Sequence, residues 1–259
     1  MITIDPTMFT QWMTSLMWPF VRIGAMFMVA PVIGSRSVPL RIRIAAAVAM
    51  ALLVFPVVPP MPDVDPFSLS GMGITISQVA IGVSMGFILQ LVFNAAIISG
   101  QTIAMTMGLG FASIVDPENG TQVPVISQFL TIMTTLLFLA LDGHLVMIEL
   151  LAYSFVSMPV SEGMSVSVPL IGHVIEFAGH MFAMALLMAL PVLTAVLIVN
   201  LSMGMVTRAA PQLNIFVIGF PVTILVGIVV LMLSLNVFQV QLTALFGDAF
   251  DVMRAATGM

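Results

Sequence analysis

One long part of the sequence carries almost no charge: between Glu176 and Asp248 the only charged residue is Arg208. The apolar segments around Arg208, near 170–207 and 209–247, would each measure about 60 Å as a helix, twice the bilayer hydrocarbon core of about 30 Å. A backbone inside lipid must satisfy its own hydrogen bonds, so such segments fold as helices. We therefore predict an all-α integral membrane protein with long, bent helices arranged as helical hairpins, one of which is closed by Arg208.

The composition supports this class and excludes several functions. Of 259 residues, 61% are hydrophobic and only 7% are charged, against about 25% in soluble domains. The net charge of −5 leaves no basic surface for nucleic acid. The chain has no cysteine, which excludes disulfides and thiolate chemistry. The apolar segments predict roughly six bilayer spans, and we expect no cofactor and no enzymatic activity.

Half of the basic residues lie in one short connection. Of the six Lys and Arg residues, Arg36, Arg41 and Arg43 separate the first apolar segment, residues 12–33, from the second, residues 44–58. Cytoplasmic loops are enriched in Lys and Arg. We therefore expect these three arginines on the cytoplasmic side.

Arg22 and Glu176 are charges within apolar segments. A central arginine costs about 2.5–3.5 kcal/mol on membrane insertion, and such charges seldom face lipid. Two interpretations of Arg22 are open: the side chain snorkels or pairs with an acid, or it faces a subunit interface or an aqueous path.

Residues 66–115 contain no charge and are too long for one straight span. Gly82 and Gly86 form a GxxxG motif that allows close helix approach, and we expect a bend or break near Ser99 and Gly100. The following block, residues 107–120, combines glycines with an Asp-Pro turn and stays largely apolar. This block is either a buried connection or a flexible apolar stopper at a pore.

Three polar motifs have other interpretations. Asp142, Gly143 and His144 predict a bend inside a helical hairpin; an Asp/His catalytic pair there would lack an orienting third group. Asp63 and Asp65 predict a solvated turn rather than a metal site. The helical spacing that comes closest to a metal site is that of His173, Glu176 and His180. A zinc site there would lack its fourth ligand.

Three sequence blocks resemble the FliR family, whose members are export-gate subunits of bacterial flagella and whose type III secretion counterparts are called SctT. The blocks are RIGAMFMVAPVIGSRSVPLRIRIAAAVAMALLVFP at 22–56, MGLGFASIVDPENG at 107–120 and APQLNIFVIGFP at 210–221. The resemblance implies a structural and gating subunit of the flagellar type III protein export gate. It implies assembly with FliP and FliQ, and with FlhB and FlhA, into a channel for unfolded secreted substrates.

The resemblance also implies a location and a division of the chain. The protein would be a multi-pass protein of the bacterial inner membrane, in the flagellar basal body. Residues 1–160 would resemble FliP, and residues 161–259 would resemble a FliQ hairpin.

The resemblance assigns roles to two sets of residues. A plug of the closed channel would be formed by Gly108, Gly110, Phe111, Ala112, Ser113, Ile114, Asp116 and Pro117. The family signature, with a role in assembly, would fall on Arg208, Pro211, Asn214, Gly219 and Pro221.

Three rival functions remain at this point. The first is service in a virulence secretion system rather than in a flagellum. A secondary transporter would use a polar site at broken helices, formed by Arg22, Glu176 and His180. A membrane metalloenzyme would require a metal at His173, Glu176 and His180.

Overall fold

The fold is built from long α-helices. A computed structural model of the chain describes residues 6–35, 37–62, 64–109, 124–161, 168–209 and 215–258. In these ranges there are helices and no β-strand, which confirms the predicted all-α class. The helices are α1 (Pro6–Val29), α2 (Leu40–Val54), α3 (Leu69–Thr106), α4 (Val125–Ala140), α5 (Gly143–Ser157), α6 (Val168–Ala209) and α7 (Ile215–Thr257), with a 3-10 turn at Phe55–Val57.

The apolar helices are compatible with the predicted number of spans. Four described helices are long and apolar enough to cross a membrane, within α2, α3, α6 and α7. Helices α4 and α5 pass the same test only as a pair, and the apolar part of α1, Ser15–Val29, is shorter. Together these segments agree with the roughly six spans expected from the sequence.

The predicted bend at residues 142–144 is confirmed. Helix α4 ends at Ala140, and the helix axis bends by 64° before α5 begins at Gly143. Asp142 adopts a left-handed backbone with φ 54°.

Both long C-terminal helices are present. Helix α6 has 42 residues and α7 has 43, and α7 continues to Thr257 rather than stopping near 247. Pro191 and Pro221 lie inside these helices without ending them. Arg208 lies in the last turn of α6, where a positive charge interacts favourably with the helix dipole.

Helix α3 continues to Thr106, so it does not break near Ser99 and Gly100, and the alternative of a bend there stays a prediction. Gly100 instead lies at a close helix–helix contact. A Cβ atom at this position would lie 2.5 Å from the Cα of Ser127 on α4, and the Ser127 hydroxyl donates to the carbonyl of Ile97 at 3.2 Å. The glycine lets α3 and α4 approach closely, and the helical backbone needs no interruption.

Arg41 and Arg43 lie in the first turn of α2 rather than in the preceding loop. The Nε of Arg43 donates to the carbonyl of Val38 at 3.1 Å, and its Nη2 donates to the carbonyl of Ser35. These bonds join the first turn of α2 to the connection that precedes it.

The chain forms two compact units, each made of separate segments. Unit 1 comprises Met1–Leu91, Asp142–Ala178 and Gly247–Met259, and unit 2 comprises Val92–Leu141 and Gly179–Phe246. The division at 160/161 expected from the sequence concerns likeness to other subunits, and it stays a prediction.

Unit 1 contains the close helix packing that the GxxxG motif predicts. A Cβ atom at Gly82 would sit against the carbonyl oxygen of Arg22 and 3.1 Å from the Cβ of Ala25. At Gly86 it would lie 2.8 Å from the carbonyl oxygen of Met26. Helices α1 and α3 therefore approach at backbone distance, which only glycine permits at these positions.

Unit 2 is centred on three phenylalanines from different helices. Phe93 of α3 lies edge-on to Phe138 of α4, with ring centroids 5.8 Å apart, and to Phe246 of α7 at 5.9 Å. The rings of Phe138 and Phe246 are 5.4 Å apart. These distances are typical of favourable aromatic contacts, so the cluster joins α3, α4 and α7.

Candidate functional site

The end of α3 is fixed by a glycine in a left-handed conformation. Gly108 has φ 85°, its N–H donates to the carbonyl of Met105 at 3.1 Å, and the N–H of Leu109 donates to the carbonyl of Ala104 at 2.9 Å. These two bonds form a Schellman motif, which pairs the last helical carbonyls. The helix thus ends at the start of the predicted plug block, residues 107–120.

One face of α7 packs against this helix end. A Cβ atom at Gly108 would lie 2.5 Å from the Cε1 of Phe220, and a Cβ atom at Gly227 would lie 2.7 Å from the side chain of Met107. Between these contacts, the Thr223 hydroxyl donates to the carbonyl of Met107 at 3.3 Å or to the carbonyl of Phe220 at 2.9 Å. Residues 220, 223 and 227 share one helix face. We call this contact between residues 107–108 and α7 the α3–α7 junction.

The α3–α7 junction joins two of the three resemblance blocks in space. Gly108 begins the plug block, and Phe220 lies between Gly219 and Pro221 of the signature. The contacts are apolar apart from the Thr223 hydrogen bond, so the junction can position a chain segment but offers no group for acid–base or nucleophilic chemistry.

Several predicted residues lie outside the described part of the chain. They are Arg36, Asp63, the plug residues Gly110, Phe111, Ala112, Ser113, Ile114, Asp116 and Pro117, and the signature residues Pro211 and Asn214. Of the remaining signature residues, Arg208 and Pro221 are exposed and Gly219 is buried.

A second site, which is polar, surrounds Arg22 inside unit 1. The Arg22 side chain is 0% exposed. Its Nε donates to the Oε1 of Gln78 at 2.7 Å, and its Nη2 donates to the carbonyl of Met158 at 2.8 Å. Its Nη1 donates to the carbonyl of Ser154 at 2.7 Å and to the hydroxyl of the same residue at 3.1 Å. The guanidinium also lies 4.3 Å from the centre of the Phe155 ring.

The described residues support neither interpretation of Arg22 drawn from the sequence. The side chain does not snorkel, and no carboxylate pairs with it among the described residues. It does not face an interface or aqueous path either, because it is completely buried. Neutral acceptors hold the cation instead, and two of them are carbonyls at the C-terminal end of α5, where the helix dipole favours positive charge.

The structure does not assemble the rival sites. Within the described residues no group of three His, Cys, Asp or Glu side chains is placed to hold a metal. Glu176 and His180 are exposed, and neither is among the hydrogen-bond partners of Arg22. The Nδ1 of His144 has no hydrogen-bond partner in the described parts, so no Asp142–His144 pair forms. Asp65 confirms the predicted turn, since its Oδ1 accepts from the N–H of Phe67 at 3.0 Å.

Sequence reasoning missed most residues that complete these two sites. They are Gln78, Ser154, Phe155 and Met158 around Arg22, and Met107, Phe220, Thr223 and Gly227 at the α3–α7 junction. The spacing of Phe220, Thr223 and Gly227 on one helix face could have indicated a contact surface. Backbone carbonyl acceptors such as that of Met158 leave no such pattern in the sequence.

Known proteins are similar to this chain over nearly its whole length. The family model for bacterial export proteins, family 1, matches residues 13–249. Flagellar biosynthetic protein FliR of Pectobacterium carotovorum subsp. carotovorum is 40% identical over 257 residues, covering 98% of this chain and 96% of that protein. FliR of Escherichia coli (strain K12) is 32% identical over 255 residues, with coverage of 98% and 96%. FliR of Aquifex aeolicus (strain VF5) is 32% identical over 253 residues, with 96% of each chain covered.

Proposed function

The chain belongs to the bacterial export proteins, family 1, and on this premise we propose that it is a structural and gating subunit of the flagellar type III protein export gate. Its relatives carry the name flagellar biosynthetic protein FliR and match it over nearly its full length. The proposed role is one of architecture and gating, and it assigns no catalysis and no cofactor to this chain.

The observation that carries the gating part of the proposal is the α3–α7 junction. Gly108 is the first residue of the proposed plug, and together with Met107 it packs on the α7 face formed by Phe220, Thr223 and Gly227. A plug must stay attached at a defined point while the rest of it moves. The junction supplies such a point, because a left-handed glycine and a ring in van der Waals contact fix the direction in which the chain leaves α3.

The proposed plug consists of Gly108, Gly110, Phe111, Ala112, Ser113, Ile114, Asp116 and Pro117. A narrow apolar constriction blocks ions by excluding water, and it yields to a passing polypeptide without breaking specific bonds. Phe111 and Ile114 are the bulky apolar members of this segment. Gly110, beyond the fixed point at Gly108, would give the backbone the freedom to move aside.

The proposed partners are FliP and FliQ, which would form the channel together with this chain, and FlhB and FlhA as further neighbours. Large apolar side chains of α7 are exposed in the single chain, where lipid or a neighbouring subunit would cover them: Leu233 is 77% exposed and Met232 is 68% exposed. Within this proposal, residues 1–160 correspond to FliP and residues 161–259 to a FliQ hairpin. The complex would lie in the bacterial inner membrane, in the flagellar basal body, and would conduct unfolded secreted proteins.

Purification of the tagged chain from its native membrane, in mild detergent and without cross-linking, tests this assignment. We expect FliP-like and FliQ-like subunits in fixed ratios, and neither of them from a strain that carries the untagged chain. A stable monomer that transports a small solute alone in vesicles would contradict the gate and support the transporter.

A further inference from the structure

Unit 1 contains an open apolar groove that the gate function does not use. The groove has a volume of about 410 Å³ and lies among α1, α2 and the first half of α3. It is lined by Gly24, Met28, Ile44, Ala47 and Val83 among others, and Arg43 is the only charged residue that lines it. We propose that this groove binds one acyl chain of an anionic phospholipid, whose phosphate is held by Arg43.

The length of the groove fits an acyl chain in one leaflet. On α1 its lining extends from Phe20 to Val29, nine residue steps or about 13 Å along a helix. One leaflet is half of a hydrocarbon core of about 30 Å. A lipid tail entering from the surface would therefore be covered over nearly its full depth.

The lining of the groove suits a lipid tail. Apart from Arg43, the residues that line it are glycine or have apolar side chains. Such a surface favours burial of a chain of methylene groups.

The positive charge of Arg43 indicates the kind of lipid headgroup that the groove would accept. Arg43 is held at the connection between α1 and α2 by its bonds from Nε and Nη2 to the carbonyls of Val38 and Ser35. Its Nη1 has no hydrogen-bond partner in the parts of the chain that the structure describes, and Arg41 is exposed two residues earlier. Arginine binds phosphate oxygens through its N–H groups, so Arg43 is available to a phosphate at the groove, whereas residues two apart on a helix do not face each other and Arg41 is left out of this site.

The first turn of α2 also lacks negative charge. It contains both arginines and no acidic residue, and Pro39 provides no side-chain cap. Positive side chains are unfavourable beside the positive end of a helix dipole. A bound phosphate would relieve this repulsion, and the positive-inside rule places this end at the cytoplasmic leaflet, which is rich in anionic lipid.

Native mass spectrometry of the purified protein, with the subunits that remain bound, tests the proposal. The probes are dioleoyl phosphatidylglycerol and dioleoyl phosphatidylcholine, which share acyl chains and differ in net charge. We expect the wild type to retain phosphatidylglycerol preferentially. The variant Arg43→Gln should lose this preference by about fivefold, while an unchanged preference would overturn the proposal.

Gly24→Leu tests the groove itself. A Cβ atom at Gly24 meets nothing within 4 Å, so the new side chain can enter the groove without moving the backbone. Gly73→Leu is the matched control, because Gly73 lies on α3, has equally open surroundings and does not line the groove. We expect Gly24→Leu to retain one phosphatidylglycerol fewer than Gly73→Leu, and equal retention would overturn the proposal.

A photo-crosslinker at Met28 identifies the occupant in the otherwise unchanged protein, so this measurement does not depend on the folding of Gly24→Leu. Met28 lines the groove and is 51% exposed. Adducts with phospholipid acyl chains support the proposal. An adduct with a neighbouring subunit instead of lipid overturns it, and neither result bears on the export function.

Discussion

The Phe220 ring of α7 lies where a side chain at Gly108 would project, with only 2.5 Å between its Cε1 and the Cβ position of residue 108. The glycine is thus required twice, once by its left-handed backbone with φ 85° and once by the ring beside it. Two distant sequence blocks meet at this contact, and it can be tested directly.

Gly108→Ala should destabilise the protein by about 1–3 kcal/mol, because a non-glycine residue is strained in this conformation and the methyl group also meets the ring. Thermal unfolding of the purified protein would measure the loss. Gly204→Ala is the matched control, since Gly204 lies within α6 with nothing within 4 Å of its Cβ position. Equal melting temperatures for the two variants would contradict the packing described at the α3–α7 junction.

Arg22→Lys should destabilise unit 1 by about 2–4 kcal/mol although it keeps the charge. The fork of the guanidinium reaches acceptors from Gln78, Ser154 and Met158 at once, while a lysine ammonium is a single compact donor. Hydrogen bonds to charged groups contribute about 1.5–3 kcal/mol each.

The control for Arg22→Lys is Arg254→Lys, which changes an exposed arginine paired with Asp251 at 2.7 Å. Exposed pairs contribute about 0–1 kcal/mol, so this variant should unfold near the wild-type temperature. If Arg22→Lys is as stable as Arg254→Lys, the bonds of the guanidinium fork do not stabilise the fold.

Gly82→Ala should force α1 and α3 apart, because the added methyl group meets the backbone oxygen of Arg22. Overpacking of this kind costs about 1–3 kcal/mol. Gly73→Ala on the same helix has open space and should be neutral or stabilising by up to about 1 kcal/mol. Thermal unfolding of the pair distinguishes close packing from helix propensity, and a stable Gly82→Ala would show that the helices are not in backbone contact.

Deletion of residues 110–113 should raise ion leakage through the assembled gate several-fold while the subunits still co-purify. The reason is that the proposed plug loses its apolar constriction. Conductance of reconstituted vesicles measures the leak. A deletion of equal length at residues 162–165, in the connection before α6, should leave conductance unchanged, and a tight gate in the first variant would reject the plug assignment.

Much of the fold could be predicted from the sequence because hydropathy is a local property. The uncharged segments fixed the helices, and Gly82 and Gly86 indicated their own close contact. The packing partners of α3 were not predictable, since this helix is apolar on all sides and no stripe of polar residues marks an outer face. The sequence around Ser99 and Gly100 predicts a bend or a break of the helix, whereas in the structure Gly100 contacts Ser127.

The sequence by itself determined the helical membrane class, the positions of the long helices and the family, since each depends on composition or on residues adjacent along the chain. Only the tertiary structure decided that Arg22 is buried among neutral acceptors and that Gly108 meets Phe220. These contacts join residues more than a hundred positions apart. Their formation depends on how helix surfaces fit together, and that fit is a property of the packed molecule rather than of any segment.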